Sequence, residues 1–257
     1  MIERAEVHDQ DYLVFGSINS LSGTVLDIGA NWGYSVGSFR AAGCTLPIVS
    51  LEISPQFRDC LEAVKKKLGG NYDYEICGAG AERGEFDLYI PVLNGRALNA
   101  LSSGVPIQFN KWVVRNVVAF AREYLAELEV FQPQLQVMSV DVDTVDNIIS
   151  GPKFDVPVDV IVAMKIDVEG AEGAVLQGSV RTLQFCKPLL LIEGAARSES
   201  VRRELLRHGY VGAVRKHEIL ELTASLDVET VNGFFVHPEQ IEAYVKAGLL
   251  SQPVHSR

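Results

Sequence analysis

The sequence predicts an α/β protein built on a largely parallel sheet, and three observations carry that prediction. Short apolar runs alternate with amphipathic segments along most of the chain, the pattern of β-α-β units. One such run, Val25-Leu26, ends in Asp27 and passes through Ile28-Gly29-Ala30-Asn31-Trp32-Gly33 into a helix. This strand–turn–helix arrangement presents backbone N–H groups and one carboxylate to a small ligand. A later, nearly continuous apolar run breaks into Lys165-Ile166-Asp167-Val168-Glu169-Gly170. Charges emerging from so apolar a strand must lie at its carboxyl end or be paired, because burying an unpaired charge is costly.

The elements follow in order. Residues 24–28 read as the first strand and 34–42 as the helix after the glycine turn. Residues 47–53 form the second strand, closed by Glu52. Ser54-Pro55 then starts a helix over 56–68, with Ser54 as its cap and Gly69-Gly70 as its stop. A third strand, 72–77, runs into Gly78-Ala79-Gly80. Residues 85–91 alternate as an extra or edge strand. The segment 94–136 is an insertion. Within it, residues 112–131 carry Val113, Val114, Val117, Val118, Ala121, Tyr124, Leu125 and Leu128 at helical spacing. That helix reads as a lid, a dimer surface of a homo-oligomer, or a helix packed on the sheet.

Beyond the insertion, 137–142 alternates as a strand and 144–149 is a short helix. Residues 158–166 form a central buried strand, 171–183 a helix and 189–192 another strand, ending in Glu193-Gly194. Residues 198–208 form a helix stopped by Gly209. Residues 211–222, with a turn inside, and 230–237 are further strands, and a polar helical tail begins at Pro238. The expected organisation is a single domain over 1–257, with an N-terminal lead at 1–22, the insertion at 94–136 and a tail at 238–257.

The chain has 257 residues, 47% hydrophobic and 22% charged, enough for a real core. Its formal charge of −10 argues against nucleic acid as the main partner, and no basic cluster exceeds Lys65-Lys66-Lys67. Cys44, Cys60, Cys77 and Cys186 are scattered, without the spacing of a zinc site. The start, Met-Ile-Glu-Arg-Ala-Glu, is not a signal peptide, and no apolar run reaches about 18 residues, the length of a membrane span. The expected setting is the cytoplasm, with reduced thiols.

Three places could carry chemistry. The glycines of the first turn, Gly29, Gly33 and Gly37, are spaced G-x-x-x-G-x-x-x-G rather than as the G-x-G-x-x-G of dinucleotide sites. Asp27 would repel a pyrophosphate but suits a cationic ligand such as S-adenosylmethionine. Glu52, at the end of the second strand, is placed to accept both ribose hydroxyls. Asp167 and Glu169 fall at a strand-to-helix turn where ligands of open sheets sit. Glu172 falls in the first helical turn, where an acid also favours the helix dipole. Lys165 has the alternative of an ion pair with an acid of a neighbouring strand, such as Glu193.

Taken together, these segments resemble the FkbM-type S-adenosylmethionine-dependent methyltransferases. That family carries D-x-G-A-N-x-G, an acid ending the second strand, T-L-D-x-[IL]-[IL], and K-I-D-V-E-G-A-E followed by V-L-x-G. This chain has Asp27 through Gly33, then Glu52, then Thr144-Val145-Asp146-Asn147-Ile148-Ile149. Lys165 through Glu172 is intact, with Val175-Leu176-Gln177-Gly178 after it. Two departures stand out: proline follows the acid directly in the family but is displaced to Pro55 here, and the segment 94–136 is longer.

The resemblance implies a class I methyltransferase, Rossmann-like fold. Its mostly parallel sheet would be seven-stranded, with helices on both faces and a helical insertion. It further implies O-methylation of a small-molecule acceptor, a sugar or glycosyl group or a polyketide-like metabolite. S-adenosyl-L-methionine is then the expected cofactor. Its methionine end would be held by Asp27, Gly29, Ala30, Asn31 and Gly33, its ribose by Glu52 beside Ile53, and its adenine covered by Gly78 and Ala79. Lys165, Asp167 and Glu169 are the expected catalytic residues, with Asp167 or Glu169 acting as the base or as a ligand to a divalent cation. The rival readings are a nicotinamide oxidoreductase, disfavoured by the glycine spacing, and a catalytically silent cofactor-binding protein.

Overall fold

The computed structural model describes residues 6–93, 96–98, 102, 133–154, 160–224 and 231–252. The chain divides into two compact units, Met1–Gly84 with Asp141–Arg257, and Glu85–Val140. The elements are a 3₁₀ helix Gln10–Ser20, then β1 (Thr24–Ile28), α1 (Tyr34–Ala41), β2 (Ile48–Glu52), α2 (Arg58–Leu68), β3 (Tyr72–Ile76) and β4 (Gly78–Ala79). Next come β5 (Gly84–Leu93), β6 (Arg96–Ala97), β7 (Pro133–Asp143), α3 (Val145–Ile149), β8 (Ile161–Ile166) and α4 (Glu172–Gln177). The chain continues through β9 (Leu189–Glu193), α5 (Glu199–Arg207), β10 (Val211–Lys216), β11 (Ile219–Thr223), β12 (Asn232–Val236) and α6 (Ile241–Lys246).

In the first unit, eight strands form one sheet in the order β11-β10-β12-β9-β8-β1-β2-β3. The strands β9, β8, β1, β2 and β3 run parallel, while β12 is antiparallel to both β9 and β10. The sheet has one strand more than expected. Residues 211–222 turn back at His217 (φ 59°) and pair with themselves, Lys216 opposite Ile219, so β11 is added at the edge. In the second unit, β5 pairs antiparallel with β6, with Val92 opposite Ala97. The helix expected over 112–131 lies outside the described residues.

Strand alternation sorts the first unit's core into two layers. Val25, Ile48, Ala163, Leu189 and Leu191 point to one face and meet Val36 and Phe39 of α1, Leu61 and Val64 of α2, and Tyr12, Phe15 and Ile18 of the 3₁₀ helix. Leu26, Val49, Met164, Leu190 and Ile192 point to the other, against Val145 and Ile149 of α3, Val175 and Leu176 of α4, and Val201 and Leu205 of α5. The lead segment is therefore part of the core. Phe15 is fully buried, worth roughly 1.5–3 kcal/mol, and meets Phe39 edge-on at 4.8 Å.

Two local expectations need correction. The helix read over 171–183 is two pieces, α4 and a π-helix Thr182–Cys186. The break has a cause: Asp146 draws the N–H groups of Arg181 and Thr182 (2.7 and 3.0 Å) and the Thr182 hydroxyl (2.7 Å) onto its carboxylate. Gly178 fits there because a Cβ would lie 1.9 Å from the Gly80 carbonyl oxygen. The side chain of Ser54 does not cap the following helix. Its backbone N–H is instead taken by Glu52 at 2.8 Å.

Candidate functional site

Four parallel strands end in an acid or a lysine on the same face of the sheet. Counting by twos from the core residues, Val25 leads to Asp27, Ile48 to Ser50 and Glu52, Ala163 to Lys165 and Asp167, and Leu189 and Leu191 to Glu193. Register brings them side by side, with Asp27 opposite both Ser50 and Lys165, and Lys165 opposite Leu191. This is the face covered by α1 and the lead segment, at the carboxyl edge where open α/β sheets bind ligands.

Asp27 is wholly enclosed. Its Oδ2 accepts from Ser35 Oγ (2.7 Å) and Ser50 Oγ (2.8 Å), and its Oδ1 faces Lys165 Nζ at 3.6 Å. The cation that Asp27 faces is thus the chain's own lysine. Lys165 also donates to the Gly29 carbonyl at 2.7 Å and lies 3.2 Å from Asp167 Oδ2. Burial works against its charge, but Asp27 and Asp167 outweigh burial and raise its pKa. Its partners are these two acids, while Glu193, the neighbour suggested by the sequence, hydrogen-bonds to Asp167.

The two strand-to-helix turns meet here. Gly29 has φ 83°, and a Cβ on it would fall 1.7 Å from the Asp167 carbonyl oxygen, so only glycine permits this approach. Ala30, behind it, is buried. Asn31 and Glu169 both adopt the left-handed region (φ 49° and 53°), uncommon for residues with a side chain. Gly33 opens α1. Glu52 accepts from the Asn31 N–H at 2.7 Å and the Ser54 N–H at 2.8 Å, one on each oxygen. Burial raises its pKa against those hydrogen bonds. Each oxygen keeps a lone pair for a further donor. Beside it, Asp27 Oδ1, Asn31 Oδ1 and Ser54 Oγ are buried without a hydrogen-bond partner among the described residues. Gly78 is packed against Ile53 and Val142, each 2.8 Å from where its Cβ would be, and Ala79 pairs with Asp143.

On the other side, Asp167, Glu169 and Glu193 bring carboxylate oxygens within 4.8 Å of one another. A hydrogen bond to Asp167, followed by burial, pushes Glu193 up to about 8. Burial opposes ionisation of Asp167, yet Lys165 and the Glu193 hydrogen bond leave its pKa lowered. The opposite shifts make the two acids titrate as a pair, with Glu193 the one favoured to keep a proton. Burial, then the Asp167 and Glu172 charges, raises Glu169. Glu172 is structural: its Oε1 accepts from Val168 N–H (3.3 Å) and Gly170 N–H (2.9 Å), which ties down the turn.

A cavity of about 210 Å³ opens beside these acids, lined by His8, Tyr12, Lys165, Asp167, Glu193 and Asn232 among others. A groove of about 1010 Å³ adjoins the first turn, with Val7, His8, Trp32, Tyr34, Cys60 and Val64 in its wall. Sequence reasoning did not single out His8, which precedes the first strand in no recognisable motif. Glu193 had a signal, since it closes an apolar run just before a glycine.

The sequence matches the profile of the methyltransferase FkbM domain over residues 27–211. Among solved structures it is similar to methyltransferase FkbM from Methylobacillus flagellatus KT, with 18% identity and a TM-score of 0.47, covering 83% of this chain and 43% of that one. It is also similar to a precorrin-6y C5,15-methyltransferase from Geobacter metallireducens GS-15 (13% identity, TM-score 0.38, 91% of this chain and 88% of that one). A third is the O-methyltransferase from Bacillus cereus in complex with SAH (11% identity, TM-score 0.37, 88% and 77%). The chain spans less than half the length of the Methylobacillus protein. No curated protein matches it. The family match agrees with the class I methyltransferase fold and covers both turns, Glu52, Asp146 and Glu193. This chain belongs to the methyltransferase FkbM domain family.

Proposed function

We propose that the chain transfers a methyl group from S-adenosylmethionine to a hydroxyl of a small molecule, a sugar or glycosyl group or a polyketide-like metabolite. The observation that carries the cofactor assignment is the pair of buried polar atoms beside Glu52 that have no hydrogen-bond partner among the described residues, Asn31 Oδ1 and Ser54 Oγ. A bound ribose and ammonium would satisfy such atoms, and an empty apolar pocket would not need them. When bound, the cofactor supplies an activated methyl group on a sulfonium. Glu52 would hold the ribose, and the turn from Gly29 through Ala30 and Asn31 to Gly33 would hold the methionine end, with Ile53, Gly78 and Ala79 beside the adenine. Asp27 acts one step back, fixing Lys165.

Asp167 and Glu193 together take the acceptor's proton. While the pair keeps its shared proton it is a weak base, and its loss near pH 8 makes the pair a stronger one. Lys165 keeps the negative charge in place, and Glu169 stands exposed beside the two acids. A second reading, a divalent cation on Asp167, Glu169 and Glu193, is favoured by the 4.8 Å convergence of their oxygens. Among the described residues no helix is long and apolar enough to cross a membrane. The acidic balance supports a partner other than nucleic acid, and the free thiols of Cys44, Cys60 and Cys77 support a cytoplasmic setting.

Calorimetry with S-adenosylmethionine, its demethylated product and NAD tests the cofactor assignment. The first two are expected to bind and NAD not to. Glu52→Gln should weaken binding at least about tenfold, or about 1.4 kcal/mol. Binding of NAD in preference to S-adenosylmethionine would overturn the reading. Turnover with a panel of glycosylated acceptors, with and without EDTA, addresses the acceptor and the cation.

A further inference from the structure

We propose that His8 is an acceptor-binding residue: its Nε2–H holds the acceptor hydroxyl in the 210 Å³ cavity against Asp167, and Ser38 acts through it as the positioning residue. This rests on the methyl-transfer reading and names the part of the acceptor that this site takes.

The argument starts from Ser38, which is buried on α1. Its hydroxyl has one proton and two lone pairs. The His8 backbone N–H occupies one lone pair at 2.9 Å, and the His8 ring approaches the same oxygen through Nδ1 at 2.6 Å. With the serine proton placed on the Nδ1 side of this contact, the proton of the neutral imidazole sits on Nε2, and Nε2–H is left for the cavity that His8 lines. Burial lowers the pKa of His8 against the opposing charge of Asp9, which favours the neutral ring. The segment is fixed on its other side too. Asn232 of β12 donates to Asp9 (2.8 Å) and Asp11 (3.1 Å), and Arg215 of β10 donates to Asp11 (2.8 Å). The Tyr12 ring lies 4.8 Å from the His8 ring, tilted by 51°.

A hydroxyl fits such a place in one orientation. It accepts from His8 Nε2–H and donates its own proton to the Asp167–Glu193 pair. An anionic group would meet Asp9 and Asp167 and be repelled, because Lys165, the cation in the lining, is already paired with Asp27 and Asp167. The cavity is smaller than the roughly 300–1,000 Å³ of drug-sized pockets, so it admits one ring and no more. The groove that His8 also lines, with Trp32 and Tyr34 exposed in it, offers flat apolar surface to the rest of the molecule. The acceptor class is therefore an uncharged, hydroxyl-bearing ring joined to a larger apolar body.

The test uses phenyl and long-alkyl glycosides as acceptors, with the matching sugar phosphates and uronic acids as charged controls. ¹⁵N spectra of wild-type protein should show the His8 proton on Nε2, and Ser38→Ala should turn it into a mixture of tautomers. His8→Phe should lower kcat/KM for the best glycoside at least tenfold, mainly through KM, with affinity for the demethylated cofactor within twofold of wild type. His8→Gln, which keeps an N–H near the same place, should recover part of that loss. A proton found on Nδ1, unchanged kinetics in His8→Phe, or a parallel loss of cofactor affinity would each overturn the role. Wild-type protein that methylates the charged controls but not the glycosides overturns the acceptor class. Protein that binds no cofactor, or binds it and methylates nothing, fails instead on the methyl-transfer reading, and His8 loses this role with it.

Discussion

Asp146 and Asp167 are acids in two motifs of the same family, on opposite faces of one sheet, and they do different work. Asp146 gives both oxygens to donors within the chain, the Arg181 and Thr182 N–H groups and the Thr182 hydroxyl. Asp167 gives one side to Lys165 and shares a proton with Glu193, and it lines a cavity. A motif fixes which residue stands where. Where the carboxylate's lone pairs point decides whether that residue builds the protein or meets a ligand. Glu172 belongs with Asp146, since it closes its own turn.

The comparison can be broken by experiment. The largest effect is expected from Lys165→Met, which strips Asp27 of the cation that it faces among the described residues while leaving it enclosed. Uncompensated buried charges of this kind cost about 3–5 kcal/mol. Denaturant unfolding should show that loss, and a variant as stable as wild type would mean that Asp27 is protonated or solvated. Next is Asp146→Ala, which leaves two N–H groups and a hydroxyl without their acceptor, at about 1–3 kcal/mol for such a loss. Thermal unfolding should fall while affinity for the demethylated cofactor stays unchanged. A variant of wild-type stability that binds cofactor poorly would move Asp146 to the ligand side of the comparison.

The smallest effect concerns pH. Glu193, raised above its ordinary 4.5 to about 8, favours the folded state in its neutral form. That contribution is complete below 4.5 and is lost as pH rises through about 8, because the native state then holds the extra proton. Asp167, shifted down, adds an opposite dependence below its ordinary value of 3.8. Glu193→Gln should flatten thermal stability between pH 4.5 and about 8 and remove the rise in turnover near pH 8. An unchanged pH profile would separate Glu193 from Asp167.

Much of this arrangement was written in the alternation of the strands. Asp27, Glu52, Lys165 and Asp167 stand out because each interrupts an apolar run, and their common face follows from counting by twos. The same count reaches Glu193. What the sequence withheld depends on contacts between distant segments. Lys165 turned to Asp27 rather than Glu193 because register set it opposite Asp27 on β1 but opposite Leu191, two residues short of Glu193, on β9. The Ser54 hydroxyl makes no cap bond, and its backbone N–H goes to Glu52, two residues earlier. The π-helix exists because Asp146, 36 residues away, holds Thr182. His8 has no local signal at all, and its place comes entirely from Ser38 and the far end of the sheet.

That far end gives the lead segment a consequence for biosynthesis. The partners that tie Asp9 and Asp11 down, Asn232 and Arg215, lie 223 and 204 residues downstream. Contacts of such separation form late, because long loop closure must precede them. A chain still emerging from the ribosome can assemble β1, its glycine turn and α1 from local material, since domains begin to form from their N-terminal parts. It cannot yet fasten the strap that carries His8. The wall of the cavity is therefore completed only after Arg215 and Asn232 have been made, and a nascent chain has the first turn long before it has that cavity.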